Sequence, residues 1–473
     1  MVVRGRGGRS RAPWEDGGGG QESADVATEV AEISEAIATG VFALAGWLIR
    51  HPLVLAVAGA VWWCWHTAGL VGLIVIGLLL FGFGLAWRIG GPESFERRVT
   101  GPLRSGVMRS AVYELRWARW ARAARLVGHD DQWRPGHVPR LMSVRSGRYW
   151  DDVRVRLAAG QRTHDFETAA EALAHSRRVQ RCAVTEVSPG VVNLGFMRRD
   201  PLVHPVALPP MPDAPGETLD LSHVALGSTE RGDPWRVPLL GTHLFGGGAT
   251  GAGKGGLLWG TVRQVAPAIH SGRVRVTMID PKGGMEAEQG APLFTRYARE
   301  EPKTIVDVFT AVVDGMSDRK AALRGVVRTV EPSIEYPLEL VIVDELAAVT
   351  KYLSDRKLGQ EAERLLGILL TQGRALGYVV HAYAQEPTKE VVPFRSLVPY
   401  KVAMRLDTPN QVDMVLGDAS WERGAHADRI PRSLPGLGYV VQEGVREPVR
   451  VRAAYTPDGE IVRLAETYPA PAV

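Results

Sequence analysis

The feature that most constrains the fold is the glycine-rich segment GGGATGAGKGG, residues 246–256. Within it, Gly248, Gly253 and Lys254 have the spacing G-x-x-x-x-G-K of a phosphate-binding loop. An apolar strand pattern, THLFGGG, precedes the loop, and a helical pattern, GGLLWGTVRQVAPAIH, follows it. A loop between a strand and a helix N-terminus can direct consecutive backbone N–H groups at phosphate oxygens. We therefore predict an α/β fold that binds a nucleotide at this loop.

One residue of the loop departs from the usual pattern. Position 255, where Ser or Thr normally contributes a hydroxyl to Mg²⁺, is Gly255, directly after Lys254. Mg²⁺ readily keeps water ligands, so we expect ATP binding to survive with weaker metal coordination and slower hydrolysis. The predicted ATP-binding residues are the consecutive ones of the loop and the helix start: Gly248, Ala249, Thr250, Gly251, Ala252, Gly253, Lys254, Gly255 and Gly256.

Acidic and amide residues follow the next predicted strands. The strand RVRVTMID ends at Asp280, and LELVIVDE ends at Asp344 and Glu345. Carboxylates at the C-terminal ends of buried parallel strands lie beside the ligand crevice. Asp344 is therefore predicted to hold Mg²⁺, through water, and Glu345 to polarise the attacking water. A strand that simply ends in solvent is the alternative. A fourth strand, GYVVHAYAQ, places Gln385 to sense the γ-phosphate or orient water, and a fifth, YKVAMRL, carries Arg405.

The N-terminal region has the pattern of a membrane anchor. Residues 1–30 are rich in glycine and charge, which predicts a disordered tail, and residues 31–88 are predicted to form an amphipathic helix and a transmembrane helical hairpin. Residues 70–87 contain no charge, and the shorter run 52–65 precedes them. Arginines flank both ends of the hairpin but not its turn, so both ends should face the cytoplasm. A buried hairpin of a soluble domain is the alternative.

Three further segments separate the anchor from the nucleotide-binding region. Residues 89–150 are predicted to be a basic, Trp-containing helical connector that lies on anionic lipid, on the motor or in solvent. Residues 151–205 read as a small α/β module of strand, helix and hairpin, and residues 206–220 as a Pro-rich linker. The motor occupies residues 221–473. Cys64 and Cys182 form no disulfide or zinc pattern, and the net charge of +4 permits a polyanionic partner without requiring one.

Several motifs in order resemble those of one family. They are GATGAGKG, IDPKGG, DGMSDR, VIVDELA, TQGRALGYVVHAYAQEPT and YKVAMRLDT, which together are similar to the motor domain of the FtsK/SpoIIIE DNA translocases. The resemblance covers about residues 220–440. The hydrophobic hairpin and Arg-rich connector resemble membrane-bound members from actinobacterial plasmids and integrative elements, and the small module faintly resembles the family's α subdomain.

The resemblance implies a RecA-like ATPase that uses ATP and Mg²⁺, assembles as a homo-hexamer and threads double-stranded DNA. In such rings ATP lies between neighbouring subunits, and a neighbour's Arg can stabilise the charge on the transferred phosphate. Arg374 and Arg405 are the candidates for this role, and a structural salt bridge is the alternative for each. The expected location is the bacterial cell membrane, with a multi-pass anchor and the motor in the cytoplasm.

The predicted function is a membrane-anchored, ATP-driven translocase of double-stranded DNA, for conjugative or plasmid transfer or for chromosome movement. The alternatives are a type VII-like protein-secretion ATPase and a non-catalytic nucleotide-gated scaffold, the latter favoured by Gly255 alone. After Tyr439 the pattern predicts a strand pair rather than a DNA-reading domain. We therefore expect DNA binding through phosphates, with residues near Arg395 and Lys401 as contributors and a steep dependence on salt.

Overall fold

The computed structural model describes residues 52–127, 137–388, 394–441 and 447–472. The chain forms two compact units, Met1–Thr100 and Gly101–Val473. The predicted disordered tail and most of the predicted amphipathic helix lie outside the described residues.

The first unit contains an apolar helical segment. Helix α1 (Pro52–Gly90) is interrupted at Gly69, whose φ of 60° and ψ of −163° are not helical, and α2 (Pro92–Phe95) and a π-helical turn (Glu96–Thr100) follow. The break lies in the segment HTAG, where the sequence predicts the turn of the hairpin. Within the described residues, Gly69–Gly90 is the one segment long and apolar enough to cross a membrane, with a mean hydropathy of 2.5 and no buried residue. One crossing helix is thus supported, whereas a hairpin with two crossings is not.

The second unit begins with a helical segment and a four-stranded antiparallel sheet. The segment comprises α3 (Gly101–Met108), a π-helical turn (Arg109–Glu114) and α4 (Leu115–Ala123). The sheet has the order β1-β2-β4-β3 and is covered by one helix; its elements are β1 (Arg140–Ser146), β2 (Trp150–Arg156), α5 (Thr163–Arg177), β3 (Arg181–Ser188) and β4 (Val191–Met197). The strand, helix and hairpin expected within residues 151–205 are present, and β1 adds a strand from the range assigned to the connector.

The aromatic side chains of the α3–α4 segment belong to the core of this small module. Tyr113, Trp117 and Trp120 are buried, and they pack in one cluster with Val153 of β2 and Phe196 of β4. The Tyr113 hydroxyl lies 3.0 Å from a carboxylate oxygen of Asp151, and the Trp117 indole donates to the carbonyl of Pro139 at 2.6 Å. The expectation that this segment is a separate connector on lipid, on the motor or in solvent is therefore wrong where Trp117 and Trp120 are concerned. Their indoles are buried in the core of the small module. The spacing of Tyr113, Trp117 and Trp120 places these three rings on one helix face, which the sheet covers.

The remainder of the second unit is a ten-stranded sheet with helices on both faces. Its strands are β5 (His223–Thr229), β6 (Pro234–Pro238), β7 (Leu244–Gly247), β8 (Val274–Ile279), β9 (Arg296–Ala298), β10 (Leu338–Val343), β11 (Tyr378–Ala384), β12 (Tyr400–Met404), β13 (Leu437–Val441) and β14 (Val449–Ala453). Its helices are α6 (Lys254–His270), α7 (Pro302–Leu323), α8 (Leu346–Thr350), α9 (Arg356–Gln372), α10 (Pro409–Leu416) and α11 (Asp458–Thr467).

The order of the strands determines which loops meet at the site. It is β6-β5-β14-β13-β12-β7-β11-β10-β8-β9, and the six strands from β12 to β9 are parallel. Every residue of β10 and β11 is buried, as expected for central parallel strands covered on both faces. Strand β11 lies between β7, which leads into the glycine-rich loop, and β10, which leads into Asp344 and Glu345. Parallel strands end at the same edge of a sheet, so these three loops are neighbours.

Two segments of the motor differ from their sequence patterns. The residues after β14 form helix α11 and not the second strand of a pair, because Ile461 and Leu464 are buried on one helix face. The Pro-rich segment is not a free linker, since Arg263 of α6 donates to the carbonyl of Pro209 at 2.6 Å. Arg263 also forms an ion pair with Glu460 of α11 at 2.9 Å. This side chain therefore connects α6 to both the Pro-rich segment and α11.

Candidate nucleotide-binding site

The glycine-rich loop is fixed by backbone contacts with the neighbouring strands. The N–H of Gly248 donates to the carbonyl of Ala384 at the end of β11, and the N–H of Ala249 donates to the carbonyl of Arg405 after β12. Gly253 has a φ of 100°, and a Cβ there would lie 2.3 Å from the backbone nitrogen of Gly436. Only glycine fits this position, which is the last residue of the loop before α6 begins.

Lys254 is the first residue of α6 and points back into the loop. Its Nζ donates to the carbonyl of Gly248 at 2.6 Å and lies 3.5 Å from that of Ala249. Burial lowers the pKa of Lys254 to about 8, against the opposing effect of the nearby Glu345 carboxylate. The partly buried ammonium of Lys254 thus contacts two neutral carbonyl oxygens. A phosphate group would be a much stronger partner for it.

Asp344 and Glu345 lie at the carboxyl end of β10, and both are 6% exposed. The Nζ of Lys282 lies 2.8 Å from Asp344 and 3.5 Å from Glu345, so one ammonium bridges both carboxylates. Burial raises the pKa of Glu345, and Lys282 acts in the opposite direction. Burial also lowers the pKa of Lys282, but the combined effect of Asp344 and Glu345 exceeds it, so the net shift is upward. Lys282 therefore remains charged and favours the ionised form of Glu345.

Gln385 connects the two halves of the site. Its backbone N–H donates to Glu345 Oε1 at 3.2 Å, and its side-chain oxygen accepts from the Thr250 hydroxyl at 2.8 Å. A cavity of about 520 Å³ opens here, lined among others by Lys254, Lys282, Asp344 and Gln385. Lys254 and Asp344 therefore face one cavity at one edge of the sheet, and Glu345 lies next to it through its contact with Gln385.

The structure brings one of the two candidate arginines to this site. Arg405 donates to the carbonyl of Thr250 at 2.6 Å and lies 3.9 Å from Asp407, so it contacts the loop of its own chain. Arg374 precedes β11 and donates to the carbonyl of Gly241, which precedes β7. Both of these positions are at the amino ends of parallel strands, so Arg374 lies at the edge opposite the cavity.

Two site residues were missed by sequence reasoning, although both lie in or just after the quoted motif IDPKGG. Lys282 pairs with the carboxylates, and Glu286 approaches the loop: a Cβ at Gly255 would lie 2.6 Å from Glu286 Oε1. Asp280 shapes this segment because its carboxylate accepts the backbone N–H groups of Lys282, Glu286 and Ala287 at 3.1, 3.4 and 3.3 Å. Burial raises the pKa of Glu286, and the negative Asp344 adds to the shift.

The carboxylates fit the Mg²⁺ that accompanies ATP. Within the described ranges no three His, Cys, Asp or Glu side chains form a metal cluster. Mg²⁺ bound to a nucleotide takes one or two carboxylates together with phosphate oxygens and water. Asp344 and Glu286 are the residues present that can supply such oxygens beside the loop.

The strand order and the glycine-rich loop define the class: a mixed α/β protein with a P-loop nucleotide-binding fold. The sequence profile of the actinomycete conjugal transfer protein N-terminal domain matches residues 98–198, which include α3–α4 and the small sheet. The chain is 25% identical over 244 residues to Protein Tra of Streptomyces lividans, covering 48% of this chain and 38% of that protein. It is 24% identical over 245 residues to the DNA translocase FtsK of Bacillus cereus, covering 47% of this chain and 29% of that protein.

These matches confirm the resemblance to FtsK/SpoIIIE-type proteins and to actinobacterial transfer proteins. The chain spans less than half the length of these curated relatives. Among solved structures, the pCW3 conjugation coupling protein TcpA aligns with 18% identity and a TM-score of 0.49, over 76% of this chain and 99% of that one. The cytoplasmic domain of the type VII secretion ATPase EccC of Thermomonospora curvata aligns with 19% identity and a TM-score of 0.45, over 56% of this chain and 32% of that one.

Proposed function

We propose that this protein is a membrane-anchored ATPase that translocates double-stranded DNA in conjugal transfer. The observation that carries the proposal is the convergence of Lys254, Asp344 and Gln385 on one cavity at the carboxyl edge of the sheet, with Glu345 accepting the backbone N–H of Gln385 beside it. The matches to a conjugal transfer domain and to DNA translocases support the choice of DNA as the substrate.

Each residue of the site has a distinct part in ATP hydrolysis. The loop from Gly248 to Gly256 supplies backbone N–H groups to the phosphates, and Lys254 exchanges its two carbonyl acceptors for phosphate oxygens. Mg²⁺ on the nucleotide would neutralise phosphate charge, with Asp344 as its protein ligand. Glu345, which is paired with Lys282, accepts a proton from the attacking water. Gln385 joins this base to the loop, so it is placed to sense the γ-phosphate.

The arginines extend the proposal to a hexameric ring. Arg405 acts on the nucleotide of its own chain, because it already touches Thr250. Arg374 lies at the opposite edge of the sheet and acts on the nucleotide of a neighbouring subunit. The segment Gly69–Gly90 anchors the ring in the membrane, and we also propose the second crossing that the sequence pattern predicts. DNA is held through its phosphates, so affinity falls steeply as salt rises.

The test uses the full chain in lipid nanodiscs. We measure ATP hydrolysis with and without linear duplex DNA, and displacement of a third strand from a triplex. We expect DNA to stimulate hydrolysis and ATP to drive displacement, with both lost in Lys254→Ala. Because Gly255 lacks the usual hydroxyl, turnover should be slow but above that of the Lys254→Ala control. Equal rates for the two proteins would refute ATPase activity, and hydrolysis without displacement would refute DNA translocation.

A further inference from the structure

A carboxylate takes up the space that the missing side chain of residue 255 would need. In a usual phosphate-binding loop this residue is Ser or Thr, and its hydroxyl contacts the metal. Here it is Gly255, and the nearest atom to a Cβ placed on it is Glu286 Oε1, at 2.6 Å. That distance is shorter than any ordinary contact, so a side chain at residue 255 and the present position of Glu286 exclude each other. A carboxylate oxygen of Glu286 therefore lies where the side chain of a Ser or Thr at residue 255 would begin.

Backbone hydrogen bonds to Asp280 fix the segment that carries Glu286. The backbone N–H groups of Glu286 and Ala287 both point at Asp280, a fully buried carboxylate at the end of β8. Trp259, one helical turn after Gly255 on α6, lines the same cavity as Glu286. The Glu286 side chain lies between the segment after β8 and the start of α6, and it lines the same cavity as Lys254 and Asp344.

We propose that Glu286 replaces the missing hydroxyl as a ligand of the Mg²⁺ bound with ATP. This inference rests on the proposed function, since it concerns the metal of the same nucleotide. Glu286 and Asp344 then provide two carboxylates, which is within the number that Mg²⁺ accepts alongside phosphates and water. A carboxylate is not equivalent to a hydroxyl, because it carries a full negative charge. It attracts the divalent ion but repels a triphosphate that arrives without one.

The consequence is a strong coupling between metal and nucleotide. Wild-type protein should bind ATP weakly in the absence of a divalent ion and much more tightly in its presence. Glu286→Gln removes the charge at nearly constant size, so it should strengthen metal-free binding and weaken Mg²⁺-dependent binding. If Glu286 had only a structural role, its substitution would change both affinities in the same direction.

The test measures the affinity of full-length protein for a fluorescent, non-hydrolysable ATP analogue, once in EDTA and once with Mg²⁺. We expect the ratio of the two affinities to fall at least about tenfold in Glu286→Gln, equivalent to ~1.4 kcal/mol. The matched control is Glu288→Gln in the same segment, which pairs with Arg299 and should leave the ratio unchanged. Electron paramagnetic resonance of Mn²⁺ in the presence of the analogue gives the metal affinity independently of hydrolysis.

A swap of the two positions keeps the inference testable if Glu286→Gln fails to fold. Gly255→Ser alone should disturb the site, because the new side chain meets Glu286, whereas Gly255→Ser combined with Glu286→Ala should restore Mn²⁺ binding through the hydroxyl. An unchanged ratio in Glu286→Gln, or no restoration by the double variant, would overturn the inference while leaving the proposed function intact. Wild-type protein that binds no nucleotide in either buffer would instead refute the proposed function.

Discussion

The protonation of Lys254 gives the most direct test of the site. Burial lowers the pKa of this ammonium from its ordinary value of 10.5 to about 8 in the nucleotide-free protein. A bound triphosphate is a strong anionic partner and should restore the ordinary value, so nucleotide binding is coupled to proton uptake. The affinity is fully present well below pH 8, where Lys254 is already charged, and is lost as pH rises through this value. The ratio of protonated fractions gives about a tenfold loss between pH 7 and pH 9, or ~1.4 kcal/mol.

The assay is a titration with the fluorescent ATP analogue at constant Mg²⁺ and ionic strength across this range. Phosphate groups have their second pKa near 6, so they stay ionised in the window. The control is Lys254→Arg, whose guanidinium remains charged and whose affinity should therefore be independent of pH even if it is lower overall. A wild-type affinity that is constant from pH 7 to pH 9, or a slope that persists in the arginine variant, would refute the reasoning.

Three further predictions concern the base, the loop and the small module. Glu345→Gln should reduce the rate of ATP hydrolysis by about 10²–10⁴ while analogue binding stays within a few fold, and a parallel loss of binding would contradict its role as a base. Gly253→Ala should abolish analogue binding because its Cβ meets backbone at 2.3 Å, whereas Gly251→Ala has open space and bears only the ~1–2 kcal/mol cost of its left-handed conformation. Trp120→Ala should lower the free energy of unfolding by about 3–5 kcal/mol in a denaturant titration. The exposed neighbour Arg119→Ala should change it by no more than about 0.5 kcal/mol, and similar losses in both would exclude a core role for Trp120.

The sequence predicts the nucleotide-binding half of the site well because its signals are local. The loop, its flanking strand and helix, and the carboxylates after β10 each follow from a short pattern of glycine, apolar run and charge. The convergence of Lys254 with Glu345 follows as well, since parallel strands present their carboxyl ends on the same side. The assignment of roles to Arg374 and Arg405 could not be refined in this way. It depends on which edge of the sheet each arginine occupies, and that becomes visible only when β11 is placed beside β7.

Other features depend on contacts between distant parts of the chain. Glu286 is 31 positions away from Gly255, and only the segment shaped by Asp280 brings the two together. The helix pattern around Trp117 and Trp120 was visible in the sequence, but the surface that covers it was not, because an amphipathic face can bind lipid or a sheet equally well. Similarly, the buried face of α11 is too short to distinguish a helix from a strand by periodicity alone.

The burial of Trp117 and Trp120 against the small sheet determines where this chain can be cut. A recombinant fragment that starts at β1 would lack one wall of its own core and would expose Val153 and Phe196 to water. Such a fragment should aggregate, and its failure could be mistaken for dependence on the membrane. Truncation at the division between Thr100 and Gly101 removes the apolar anchor and keeps the aromatic helix with the sheet that it completes.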